Sequence, residues 1–157
     1  MAGPSYHDTQ AGTEIPPRQY QLTRRDLVKY AGASGDFNVI HWNERIAKSV
    51  GLPDVIAHGM LTMALAGRFL TEWAGDPGAV TEFGVRFSSP VIVPDDDKGA
   101  MVEVSGLVTG KLDGNQVTVE VTARSGEVKV LTRAHAVVRL ATVLAQGDEP
   151  KIPLEPP

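Results

Sequence analysis

The chain has no cysteine in 157 residues. That excludes disulfides, thiolate nucleophiles and Cys-ligated zinc, and it is the usage expected in a reducing cytoplasm. Apolar runs are short as well: none approaches the ~20 residues that a membrane-spanning helix needs. Positive charge is not in excess, since 15 Lys and Arg against 19 Asp and Glu leave a net charge of −4, so a nucleic-acid partner has no basic footprint to meet. The first eight residues contain no basic stretch followed by an apolar one, so no secretory signal is expected. The four histidines show no paired spacing of the zinc kind, and no glycine-rich phosphate loop occurs. Asp95-Asp96-Asp97 is not followed by the Gly-then-Glu pattern of a calcium loop and reads as a solvated turn. Neither a metal nor a cofactor is expected from this inventory.

With 42% apolar and 22% charged residues the chain has the composition of one globular domain with a real core. Residues 1–17 close on Pro16-Pro17, and residues 146–157 carry Pro150, Pro153, Pro156 and Pro157 among charges. Both read as flexible tails around a domain spanning 18–145.

Inside that domain helices come first. Thr23-Arg24-Arg25-Asp26 is a capping-box-like start, with Leu27, Val28, Tyr30 and Ala31 as an apolar stripe. Gly32, Ser34 and Gly35 then predict the end of that helix. A short helix over 43–50 is expected to turn Ile46, Ala47 and Val50 inward. From 57 to 73 almost every position around the helix is apolar, the mark of a buried one. Beyond Val80 the period changes to two: 81–87, 101–108, 116–123 and 127–138 alternate and are rich in Val and Thr. Asp113-Gly114 and Ser125-Gly126 are hairpin turns between such runs. One buried helix against at least four antiparallel strands is a two-layer α+β architecture.

Chemistry concentrates where the first helix stops. Asp36 and His41 are five residues apart. On an unbroken helix that spacing, about 500°, would point them roughly 140° apart. On an irregular link they can converge on one water, as a general acid/base pair requires. The same positions also suit a turn carboxylate and a first-turn histidine of the next helix. Asn38 between them adds more polarity than a plain connection needs. His58-Gly59 opens the apolar helix, where a polar residue before a packing glycine and an anion-accepting helix start are both open readings.

The two stretches Tyr30-Ala31-x-x-Ser34-Gly35-Asp36-x-Asn38-x-Ile40-His41 and Ile56-Ala57-His58-Gly59-Met60-Leu61 together resemble the MaoC-like (R)-specific enoyl-CoA hydratase/dehydratase family. The resemblance runs from about residue 20 to 140. Residues 22–30, 41–47, 57–62 and 75–87 look most like the B subunit of mycobacterial (3R)-hydroxyacyl-ACP dehydratases. It implies a hot-dog fold, a long antiparallel sheet wrapped around a buried central helix, with a short helical overhang carrying the Asp/His motif. It also implies dimers with two sheets joined edge to edge, either a homodimer or a heterodimer with a related hot-dog subunit. Asp36 and His41 would be the catalytic pair, and the Gly59 N–H would polarise the thioester carbonyl. Asn38, Ser34, His58 and Thr62 would support them, with no cofactor. Val39 stands where the family usually has proline, and Ala64 where some hydratases carry serine, leaving Thr62 as the neighbouring hydroxyl.

The activity implied is lyase chemistry, hydration of trans-2-enoyl thioesters or dehydration of (3R)-hydroxyacyl thioesters carried on CoA or acyl carrier protein. Two other readings use the same fold: an acyl thioesterase, and a non-catalytic acyl-binding subunit of a heterodimeric dehydratase. The Asp-x-Asn-x-x-His spacing disfavours the first. The presence of both Asp36 and His41 disfavours the second.

Overall fold

Residues 3–142 are described in a computed structural model of the chain. Five strands form one antiparallel sheet in the order β1-β3-β4-β5-β2, where β1 is Glu14–Leu22, β2 Val80–Phe87, β3 Ala100–Leu112, β4 Gln116–Ser125 and β5 Val128–Arg139. Alternation decides which face is buried: Val102, Val104 and Val108 of β3 and Val117, Val119 and Val121 of β4 all point into the core. The expected hairpins are present, with left-handed backbone at Gly114 and Asn115 between β3 and β4 and at Gly126 between β4 and β5.

The central helix α3, Gly59–Ala74, touches β1, β2, β3 and β5. At Gly106 a β-carbon would lie 3.2 Å from the Phe69 ring and 3.0 Å from Ile15, so here the helix packs directly on strand backbone. This is the hot-dog arrangement, one curved sheet around one helix. Two shorter helices, α1 (Arg24–Ser34) and α2 (Glu44–Ser49), flank a single 3-10 turn at Val39–His41 and form the overhang.

Four expectations need correction. First, residues 3–17 are not a free tail. β1 begins at Glu14, while Tyr6 N–H donates to Ala141 O, Gly12 N–H donates to Val108 O, and Lys111 Nζ donates to Thr9 O. Pro16-Pro17 disguised the strand. Proline cannot donate to a ladder and is tolerated on an edge strand, here within the register shift between Ile15 and Arg18. Second, α1 continues through Gly32 to Ser34, and only Gly35, at φ 74°, ends it. Third, Val50 is exposed and Ile46 half-buried, leaving Ala47 as the residue of α2 that reaches the core. Fourth, α3 buries only part of its circumference: Thr62, Ala66, Phe69, Leu70 and Ala74 face the sheet, whereas Met60 is 55% exposed. The tail expected at 146–157 lies outside the described residues.

Candidate active site

Short polar side chains shape the link after α1. Ser34 Oγ donates to Tyr30 O at 2.8 Å and accepts from the Asp36 N–H at 3.2 Å. Asp36 Oδ1 accepts from the Asn38 N–H at 3.1 Å, and Asn38 Oδ1 from the Ile40 N–H at 3.3 Å. Each such bond replaces a backbone partner that helix or sheet would have supplied, so the chain turns without regular structure. Trp42 Nε1–H closes the outer side on Phe37 O at 3.0 Å.

Three polar side chains converge beneath this link. The Asp36 carboxylate, His41 and His58 each place a ligating atom within 4.8 Å of the others. His41 is 8% exposed, and its Nδ1 lies 2.7 Å from Ile56 O. A carbonyl only accepts, so Nδ1 carries the proton and Nε2 holds the lone pair. His58 is 2% exposed and its Nε2 lies 3.1 Å from Asp36 O, which fixes the opposite tautomer. The two imidazoles stack at 3.8 Å and 25°, with the Tyr30 ring tilted against His58 at 4.9 Å. Burial pushes the His41 pKa down and the nearby His58 adds to this, while the bond to Ile56 O and the Asp36 charge oppose them. His41 is therefore neutral at pH 7, with a basic nitrogen available.

These three groups would suit a metal by residue type. Stacked rings, however, direct their in-plane lone pairs along nearly parallel planes rather than at one point, and His58 Nδ1 is sealed from solvent. The arrangement fits proton transfer better than ligation.

Beside the pair, α3 begins. The N–H groups of Leu61 and Thr62 both return to His58 O, and among the described residues no acceptor sits on the Gly59 N–H. Such a helix start carries partial positive charge and can receive a developing oxyanion. His41, Gly59 and Thr62 line a cavity of about 290 Å³ together with Phe87, residues 88–91 and Val130. A β-carbon on residue 59 would meet the Phe87 ring at 3.1 Å. A larger hollow, about 710 Å³, lies between 14–17 of β1 and 105–107 of β3, far in sequence from both motifs and without histidine. Side-chain chemistry rather than size selects the smaller cavity.

Asp36, His41, His58, Gly59 and Thr62 are thus brought together. Ser34 and Asn38 act on loop backbone instead, and Ala64 is exposed. Sequence reasoning did not find Ile56, whose carbonyl orients His41, because a backbone carbonyl leaves no trace in residue type. Phe87 was read as one side of a strand. Its place over Gly59 depends on where β2 ends against α3.

Comparison with known proteins adds the following. The family model described as "MaoC like domain" matches residues 8–128. The 3-hydroxyacyl-thioester dehydratase X of Mycobacterium tuberculosis is 36% identical over 96 residues, covering 60% of this chain and 33% of that protein. The beta subunit of 3-oxo-4,17-pregnadiene-20-carboxyl-CoA hydratase, from the same organism, is 28% identical over 117 residues, covering 74% of this chain and 86% of that one. A solved structure of a MaoC-like dehydratase superposes with a TM-score of 0.84 at 46% identity, covering 89% of this chain and 43% of that one. The chain thus spans less than half the length of two of these three proteins.

Proposed function

The chain belongs to the MaoC-like dehydratase family, and on that premise we propose that it is a lyase that reversibly hydrates trans-2-enoyl thioesters to (3R)-hydroxyacyl thioesters. The observation that carries this reading is the convergence of the Asp36 carboxylate and the His41 ring, with His41 lining a cavity that also contains the start of α3 at Gly59.

In the hydration direction one water sits between Asp36 and His41. Neutral His41 accepts a proton at Nε2 as the water oxygen bonds to C3, while Asp36 orients the water and stabilises the imidazolium. The C2=C3 π pair moves toward the thioester carbonyl, whose oxygen gains negative charge against the Gly59 N–H. The enolate then collapses, and the proton returns to C2 from the same face. Acid/base help of this kind is typically worth ~10²–10⁴-fold and one preorganised donor roughly 10²–10³-fold. The thioester would be carried on CoA or on acyl carrier protein, which share the pantetheine arm. The likeness to a subunit of mycobacterial dehydratases belongs to the same proposal.

Loss of enoyl-thioester absorbance tests it, using crotonyl-CoA and longer enoyl-CoAs. Wild type should turn over, while Asp36→Asn and His41→Gln, folded by circular dichroism, should lose ~10²–10⁴-fold in kcat. Turnover unchanged in both variants would refute the assignment, and thiol release from acyl-CoA would identify a thioesterase instead.

We also propose that the working form is a dimer, either of this chain or with a related hot-dog subunit. Two relatives bear on it: one is itself the beta subunit of a hydratase, and another is about three times as long as the matched segment. The exposed Phe37, Trp42, Met60 and Phe87 support a partner at this end of the molecule.

A further inference from the structure

His58 has the environment of a core residue and the bonding of something else. Its ring is almost fully buried, yet Nδ1 has no hydrogen-bond partner among the described residues. A buried acceptor left bare is unfavourable, and an apolar ring of similar size would fill the space without it. Packing therefore does not account for a histidine here. What an apolar ring could not do is donate a hydrogen bond, and the other nitrogen does so, to the backbone carbonyl of Asp36.

We propose, resting on the hydratase reading, that His58 is a positioning residue: its Nε2–H anchors the Asp36 backbone and its face supports the His41 ring, so one side chain aligns both members of the pair. The two anchors are independent. The hydrogen bond crosses 22 residues of sequence and ties the irregular link to the N-terminus of α3. The stack holds the His41 plane at 3.8 Å, while Ile56 O fixes its rotation. His58 also immediately precedes Gly59, so the acid/base pair and the oxyanion-accepting N–H are set from adjacent residues.

Three substitutions separate the two anchors. His58→Gln keeps an N–H donor at nearly the Nε2 position and loses the ring. His58→Phe keeps the ring and loses the donor. His58→Ala loses both. With wild type active on an enoyl-CoA, the Gln variant is expected within about 5-fold of wild-type kcat, and Phe and Ala at least ~10-fold down with KM within about 3-fold, in line with one lost buried hydrogen bond acting on the reacting groups. Amide hydrogen exchange at 36–41 should rise in Phe and Ala but not in Gln, with α3 unchanged. Ala replaces Phe in the comparison if Phe does not fold. Phe within twofold of wild type, Gln as impaired as Ala, or exchange unchanged in the variants lacking the donor would overturn the proposal. Wild type inactive on every enoyl thioester would instead refute the hydratase reading, and the exchange measurement would still decide whether His58 anchors the Asp36 link.

Discussion

At the scale of single residues, the proton on His41 is the quantity that pH controls. Burial is the largest influence and lowers its pKa below the ordinary 6.5. Below that value an unfolded chain would protonate this imidazole while the folded one resists. The unfolded state then binds more protons, so the contribution of His41 to stability is present above 6.5 and is lost as pH falls toward the folded value. Catalysis should follow the same group. The acid limb of kcat/KM is expected to have its midpoint below 6.5, because only neutral His41 can take the water's proton. A pH-rate profile with its midpoint at or above 6.5 would show that another group limits the reaction. The identity of the pair was legible at this scale because Asp36, Asn38 and His41 are chemically distinctive. The carbonyls that fix each tautomer were not, since every residue has one.

The elements owe their boundaries to local chemistry of modest strength. α1 starts on a cap in which Thr23 N–H and Oγ1 both donate to Asp26 Oδ2, at 2.9 and 2.8 Å. These bonds hold the Asp26 carboxyl below its usual range, the backbone one foremost. Asp26→Ala should destabilise the protein by about 1 kcal/mol at neutral pH, measured by urea unfolding. The difference from wild type should shrink as pH drops below about 3.9, where the unfolded carboxylate begins to protonate and the ionised cap is progressively lost. A constant difference down to pH 2 would assign the effect to packing. The cap was readable because its four residues are contiguous. β1 was not, because its prolines carry a loop signal that only its edge position overrides.

For the whole molecule the informative mismatch is between the sequence of α3 and its surroundings. Its apolar residues cover nearly every side, yet the single chain buries one side and leaves Met60 exposed. The proposed dimer predicts a particle of two chains in light scattering at micromolar concentration, or of one copy of each subunit if a related partner is coexpressed. A stable monomer with full hydratase activity would contradict it. By itself the sequence determined what short-range chemistry encodes: the alternation of the strands from β3 on, the hairpin turns, the cap of α1 and the polar link that bears Asp36 and His41. Those features depend on residues within a few positions of one another, where side-chain type and backbone conformation are directly coupled. Tertiary structure decided what depends on distant segments meeting in space. Residues 14–17 join the sheet because the β3 edge offers partners for them, Phe87 closes over Gly59, and His58 reaches back 22 residues to Asp36. Contacts of that kind are chosen by the packing of the entire core, which no local pattern records.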